Sequence, residues 1–260
     1  MDFGLFINSL PLPGVMLLSL TLALVSVEAG SWLARFRASR APTEPEGPVS
    51  AMVGAILGLL AFILAITFSM TADRYDTRKQ LVIDDANAVA GAYFKAGFLP
   101  APQRDACRKL LREYVGLRAQ IAPTRDINEL IARCEEIQNL LAEQAQSLTS
   151  VDMDSDLRAM FIDAIHELTS VHLSRKTVAM VYRIPGTIWA SLYVLSALSM
   201  VAIGYQVGAS GVRRLWGTPL LAAAFSLVIV MIADMDRPMG QFAISQQPML
   251  DVRNTIERAP

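Results

Sequence analysis

Four long apolar stretches dominate the hydrophobic pattern of the chain. They occupy residues 13–33, 50–72, 187–207 and 215–233. At about 1.5 Å per residue, a helix of any of these lengths crosses roughly 30 Å of hydrocarbon. A helix also satisfies its own backbone hydrogen bonds inside a bilayer. The pattern therefore predicts four transmembrane helices.

Between the second and third stretches, residues 73–186 carry nearly all the charge of the chain, with apolar residues at helical spacing. This pattern predicts an amphipathic helical domain. No proline interrupts residues 66–97, so a helix that begins near residue 51 is expected to continue well beyond the lipid.

Proline and polar residues mark further helix boundaries in this domain. Pro100 and Pro102 fit the start of one helix, and Pro123 separates that helix from the next. The segment 150–156 offers N-cap residues for a third helix, which is expected to run to Tyr182.

The fold class that follows is all-α, a polytopic membrane protein with a helical soluble domain inserted between its second and third transmembrane helices. The expected segments are transmembrane helices 1 and 2 (1–72), the extramembrane domain continuous with helix 2 (73–186), transmembrane helices 3 and 4 (187–234) and a C-terminal tail (235–260).

Composition agrees with a membrane protein. Hydrophobic residues make up 53% of the chain and the mean hydropathy is +0.39, which is high for a soluble protein. A net charge of −1 gives no nucleic-acid footprint. We therefore expect the lipid bilayer and no nucleic acid among the partners.

Two clues to orientation conflict. Arg35, Arg37 and Arg40 in the first short loop favour a cytoplasmic loop and an external domain by the positive-inside rule. Cys107 and Cys134 lie about 9 Å out of register in the expected hairpin, so a disulfide is not expected. Two unpaired thiols favour a reducing compartment for the domain. The orientation stays open.

Several residues are expected at the membrane–water boundary. Glu28, the one acid well inside a span, lies four residues before Trp32 and is interpreted as reaching the headgroups or pairing with Arg213 or Arg214. Aromatic residues favour the headgroup layer, and five of them lie near the proposed helix ends, namely Trp32, Trp189, Tyr193, Tyr205 and Trp216.

The stretch "IADMDRPMGQ" places acids at the C-terminal end of the fourth span, where unpaired carbonyls disfavour them. With four spans, the outer ends of the second, third and fourth meet on one side. Asp236 is expected to pair with Arg74 or Arg78, and Pro238 to end the helix. We call the charged residues at these exits the collar, namely Asp73, Arg74, Asp76, Arg78, Arg183, Asp234, Asp236 and Arg237. The collar either fastens the domain to the membrane helices or lines the mouth of an ion pathway.

Phe62, Ile66 and Met70 recur at i, i+4 and i+8 in the second span and share one helix face. Such a face can form the hydrophobic constriction of a dewetting gate. It can equally form ordinary helix-packing core.

Other chemistry is not supported. Residues 152–163 have the acids of a calcium loop, but Leu157 replaces the required Gly and Asp163 the usual Glu. Asp163 and His166 supply only half of a carboxylate-bridged metal site, so His166 and His172 are interpreted as ordinary helix residues. With no nucleotide-binding loop and no nucleophile motif, we expect no metal, no cofactor and no enzymatic activity.

Two motifs in order along the chain carry a family resemblance. They are Arg74, Tyr75 and Arg78 with Ala86, Asn87 and Ala88 after the second span, and Asp236, Arg237 and Pro238 after the fourth. From about residue 50 to 252 the chain resembles the bacterial bestrophin-like domain family. That family is remotely similar to the bestrophins, which are pentameric anion channels whose second helix lines the pore.

The resemblance implies a homo-oligomeric channel, a pentamer, in the bacterial inner membrane, with inorganic ions as its cargo. Because no acidic calcium clasp is found in the sequence, calcium gating is not implied. The alternative is a non-conducting membrane scaffold or sensor whose helical domain binds a partner. Particle symmetry distinguishes the two, because a channel of this kind needs a ring with a central hole.

Overall fold

The structure is a computed structural model that describes residues 3–40, 46–120, 127–210, 216–237 and 243–258. The described residues form helices and no strands, which confirms the all-α fold class. The helices are α1 (Phe3–Ser9), α2 (Leu12–Ala38), α3 (Glu46–Ala96), α4 (Ala101–Ala119), α5 (Ile127–Ser147), α6 (Ser155–Met180), α7 (Gly186–Ala209), α8 (Gly217–Asp236) and α9 (Gln247–Arg258), with a short 3-10 turn at Leu148–Ser150.

Four of these helices, α2, α3, α7 and α8, are long and apolar enough to cross a membrane, as the sequence predicted. The uninterrupted second span is also confirmed, since α3 extends over 51 residues. At about 1.5 Å per residue it is roughly 76 Å long, more than twice the hydrocarbon thickness.

The chain divides into two compact units, which we describe separately. The first unit comprises residues 1–74 and 183–242 and contains the apolar helices. Its core includes Leu60, Trp189, Leu192 and Ile232, all fully buried. The expectation that Trp189 and Tyr193 mark the lipid boundary is wrong, because both side chains pack inside this core. Trp32 and Trp216 are instead largely exposed, as boundary residues would be.

Glycines bring α2 and α7 into direct backbone contact. A Cβ added to Gly30 would lie 2.0 Å from the carbonyl oxygen of Val201, and one added to Gly204 would lie 2.0 Å from that of Val27. Only glycine fits at such a crossing, in the way that small residues allow close approach of membrane helices. This crossing fixes the packing of the first and third spans.

The second unit comprises residues 75–182 and 243–260. Its helices α4, α5 and α6 are joined by the part of α3 that follows Arg74 and by α9, around a core that includes Val89, Leu111, Ile137 and Phe161. Cys107 and Cys134 are buried in this core as free thiols, which agrees with the expected absence of a disulfide.

The helix boundaries match the expectations closely. Helix α4 follows Pro100, and Asp154 caps α6 by accepting from the backbone N–H groups of Asp156 (2.8 Å) and Leu157 (3.1 Å). Helix α6 ends at Met180, two residues before the predicted end.

Two elements were not predicted, namely α1 and the amphipathic α9. Four residues that entered the expectations, Pro123, Arg213, Arg214 and Pro238, lie outside the described residues.

Candidate functional site: the collar and the exposed face of helix α3

Asp236 is the last residue of α8, and it is only 3% exposed. Its Oδ1 accepts a hydrogen bond from the backbone N–H of Ile184 at 3.1 Å and lies 3.5 Å from Nη1 of Arg74. Of the two partners that the sequence predicted for Asp236, Arg74 and Arg78, the contact with Arg74 is therefore present. An acid is tolerated at this helix C-terminus because donors from α3 and from the segment before α7 converge on it.

Two further arginines bind backbone carbonyls at the same end of the unit. Nη1 of Arg183 donates to the carbonyl oxygen of Asp236 at 2.9 Å. Nη2 of Arg237 donates to the carbonyl oxygens of Ile7 and Leu10, at 2.9 and 2.6 Å, at the end of α1. Carbonyls at the C-terminal end of a helix have no hydrogen-bond partner within that helix, and the two arginines supply the missing donors.

The remaining collar residues take different positions. Asp234 is buried in the first unit, whereas Asp73 is exposed on α3. Asp76 and Arg78 belong to the second unit, where Asp76 is exposed and Arg78 is mostly buried. The structure thus brings Arg74, Arg183 and Asp236 together within one unit.

Helix α3 is the least covered of the four spans. Of the 18-residue apolar stretch of α3, only 17% is buried, against 28–33% for the corresponding stretches of the other three spans. Phe62 and Ile66 are 60% and 43% exposed, and Met70 is half-buried on the adjoining side. The candidate constriction residues therefore lie on a helix face that this chain does not cover.

The inward and outward faces of α3 differ in chemistry. On the inward face, the buried hydroxyls of Thr67 and Thr71 bond to carbonyls of their own helix, as in the 2.7 Å bond from Thr67 Oγ1 to Ile63 O. Elsewhere on the helix, Gly54 and Gly58 have nothing within 4 Å of an added Cβ.

An apolar groove of about 450 Å³ opens between α3 and α8. It is lined by Ala61, Leu64, Ala65, Phe68, Leu221, Ala224, Phe225, Val228 and Met231.

The second unit contains a buried polar cluster that sequence reasoning missed. Asp85 on α3 is fully buried, and its Oδ2 lies 2.5 Å from Nη2 of Arg118 and 2.6 Å from Nη1 of Arg175. Tyr114 donates to its Oδ1 at 3.2 Å. The part of α3 that belongs to the second unit is thus tied to α4 and α6 by hydrogen-bonded charges.

His172 extends this buried polar cluster. Its Nδ1 lies 3.2 Å from the hydroxyl of Tyr114, and its Nε2 lies 3.9 Å from Oε1 of Glu135. Burial, with the positive charge of Arg118 second, lowers the pKa of His172 to about 4. His172 is therefore a neutral ring in the protein interior at neutral pH, and it lies on α6, as the interpretation of an ordinary helix residue expected.

Arg175 also holds the C-terminal segment. Its Nη2 donates to Oε1 of Gln246 at 2.5 Å, immediately before α9. Met249 and Ile256 of α9 are buried in the core of the same unit. Residues 246–258 are therefore a packed part of the second unit.

A sequence signal for this cluster existed. Asp85 shares a helix face with Val82, Val89 and Tyr93, at i−3, i+4 and i+8, and all three are buried. An acid on an apolar face needs a buried partner. The pattern does not reveal which arginines, more than 30 residues away, supply it.

Comparison with known proteins identifies the family. Residues 17–249 match the Bestrophin-like domain. The chain belongs to the bestrophin-like family. The resemblance drawn from the two motifs is thereby confirmed, and this member of the family is a membrane protein. No curated protein matches the chain.

Solved structures share the bestrophin fold. A point mutant of a bacterial bestrophin homologue from Klebsiella pneumoniae superposes with a TM-score of 0.64 at 17% identity, covering 95% of this chain and 96% of that one. The structure of that homologue solved by zinc phasing gives a TM-score of 0.61 at 19% identity, covering 94% and 95%. At these identities the likeness is one of fold.

Proposed function

We propose that this bestrophin-like protein is a homo-oligomeric ion channel of the bacterial inner membrane, with α3 lining the pore, and not an enzyme. The observation that carries the proposal is the uncovered face of α3 with Phe62 and Ile66. A bundle of four spans is too thin to enclose a pore alone, whereas a ring of α3 helices encloses one.

The small residues of α3 support assembly. Within the chain, Gly30 and Gly204 are used for close helix contact, whereas Gly54 and Gly58 meet nothing. Small residues in membrane helices commonly serve helix association. A neighbouring copy that packs against α3 would use these glycines, and a pentamer follows from the bestrophin resemblance.

In such a ring, Phe62, Ile66 and Met70 form an apolar constriction, where water is unfavourable and ions must shed hydration. The collar residues Asp73 and Arg74 follow at the exit of the same helix. Selectivity for anions rests on the family relation. Replacing chloride with gluconate should then reduce the current, and replacing sodium with a bulky organic cation should not.

The test of conduction is Ile66→Ala in protein reconstituted into liposomes. Removing the apolar side chain should raise chloride flux, because a wider, less apolar constriction stays wet more of the time. Leu198→Ala is the matched control, since Leu198 is 56% exposed on α7 and should leave the flux unchanged. Absence of flux for wild type and variant alike, in vesicles shown to contain folded oligomer, would remove the channel proposal.

The second candidate function, a membrane scaffold, is favoured by one surface of the second unit. Phe94 and Phe98 are 68% and 48% exposed and contact each other edge to face at 5.3 Å. Exposed aromatic pairs suit a protein partner. Electron microscopy of purified particles separates the two functions. A ring with a central hole supports the channel, and a monomer or compact dimer supports the scaffold.

A further inference from the structure

The C-terminal end of α2 presents an aromatic and cationic surface. Trp32 is 61% exposed and Phe36 is 40% exposed. Their rings stack with centroids 5.4 Å apart and an interplanar angle of 20°. The guanidinium carbon of Arg40 lies 4.0 Å from the centroid of Phe36. A cation and two flat apolar faces therefore form one continuous exposed surface.

Arg35 completes this surface from the preceding turn. Its Nε donates to the carbonyl oxygen of Ser31 at 3.2 Å, and its Nη2 donates to Oγ of Ser31 at 3.3 Å. The hydroxyl of Ser31 donates to the carbonyl oxygen of Glu28 at 3.0 Å and lies 3.5 Å from Oε2 of the same residue. The guanidinium of Arg35 is thus directed back along α2, toward the apolar part of the span.

Donor capacity remains at both arginines. Within the part of the chain that the structure describes, neither Nη1 of Arg35 nor the guanidinium of Arg40 has a hydrogen-bond or ion-pair partner. Among the described side chains of this surface, Glu28 supplies the one carboxylate that opposes these two charges. The surface therefore carries a net positive charge, to which Arg37 in the same last turn adds.

The length of α2 sets the depth of this surface. Its 27 residues span about 40 Å, roughly 10 Å more than the hydrocarbon core. Because the basic residues Arg35 and Arg37 lie in its last turn, we place that end of the helix in the headgroup layer, where tryptophan rings are also favoured. Nearer the middle of the span, the same exposed side of α2 carries Leu24 and Val25, which are 39% and 61% exposed. Their side chains form an apolar surface against which an acyl chain can pack.

We propose that the surface formed by Trp32, Arg35, Phe36 and Arg40 binds the headgroup phosphate of an anionic phospholipid. Guanidinium groups match the geometry of phosphate oxygens, and the stacked rings pack against the glycerol and the first methylenes. The net positive charge selects a headgroup with net negative charge over a zwitterionic one that carries the same phosphate. The proposal does not depend on conduction.

The test is native mass spectrometry of the full-length protein, equilibrated with phosphatidylglycerol and phosphatidylcholine of identical acyl chains. An interfacial arginine contributes about a fivefold preference for anionic lipid. The double variant Arg35→Gln with Arg40→Gln should therefore lower the ratio of bound phosphatidylglycerol to phosphatidylcholine by about 25-fold at most, and by at least about fivefold. Arg258→Gln, an exposed arginine at the end of α9, should leave the ratio unchanged.

Glu28→Gln provides a change of opposite sign, because it removes the opposing charge and should raise the ratio. All four arginine and glutamate side chains are exposed, so the variants should fold, which circular dichroism at 222 nm checks. An unchanged ratio in the double variant, or a lower ratio in Glu28→Gln, would overturn the proposal. So would displacement of bound phosphatidylglycerol by excess inorganic phosphate, which would assign the surface to the free ion.

Discussion

His172 should make the stability of the protein depend on pH. The ring is 3% exposed, and the groups that face it are Tyr114, Arg118, Glu135 and Lys176, with Asp85 behind Tyr114. In the unfolded chain its pKa is about 6.5, and in the folded protein it is about 4. Between these values the unfolded state binds more protons, so stability falls as the pH is lowered from 6.5 toward 4 and does not fall further below that.

The size of the effect follows from the two pKa values. They differ by about 2.5, and each pKa unit corresponds to about 1.36 kcal/mol, so the full loss is about 3 kcal/mol near pH 4. At pH 5 the loss is about 2 kcal/mol. For chains of roughly 150–250 residues, 1 kcal/mol shifts the melting temperature by about 2–4 °C, so His172 should contribute about 4–8 °C between pH 7.5 and pH 5.

The assay compares thermal unfolding of wild type, His172→Gln and His166→Gln in detergent at both pH values. All three proteins share the other titratable groups, so the difference between proteins reports each histidine together with its direct neighbours, Glu135 in the case of His172. The melting temperature of wild type should fall by about 4–8 °C more than that of His172→Gln. His166 is exposed on the same helix, and its variant should behave like wild type. Equal falls in wild type and His172→Gln would refute the account of a ring kept neutral by burial.

Two other substitutions test specific contacts by melting temperature. Asp85→Asn leaves two buried guanidiniums without their carboxylate and should lower the free energy of unfolding by about 3–5 kcal/mol. The same change at the neighbouring, half-buried Asp84 should lower it by about 0.5 kcal/mol or less. Equal effects would mean that the cluster does not hold the unit together. Gly204→Ala forces a Cβ to within 2.0 Å of the carbonyl oxygen of Val27 and should destabilise the protein by about 1–3 kcal/mol. Gly116→Ala, where an added Cβ meets open space, should stabilise the protein by up to about 1 kcal/mol. Stabilisation by both variants would contradict the close helix crossing.

The membrane architecture was readable from the sequence because lipid imposes a simple rule. A span must be about 20 residues long and apolar, so α2, α3, α7 and α8 could each be recognised without knowing their neighbours. The positions of Trp189 and Tyr193 could not, since an aromatic ring near a span end suits both the headgroup layer and the bundle interior. The structure decides for the bundle interior, because the hydroxyl of Tyr193 lies 2.9 Å from the hydroxyl of Ser19 on α2.

Two buried aspartates show where sequence reasoning stops. Asp236 stood out because it follows an apolar run, and the number of spans fixed which chain segments meet it, so Arg74 could be named in advance as one of two candidate partners, the other being Arg78. Asp85 lies within a helix, and its partners Arg118 and Arg175 come from α4 and α6, whose relative rotation no local pattern records. The bilayer restricts the arrangement of the first unit to a few possibilities, whereas an amphipathic bundle in water can pair its helices in many ways. Charged residues near a span exit can therefore be paired from sequence, and buried charges in the second unit can be paired only from its three-dimensional packing.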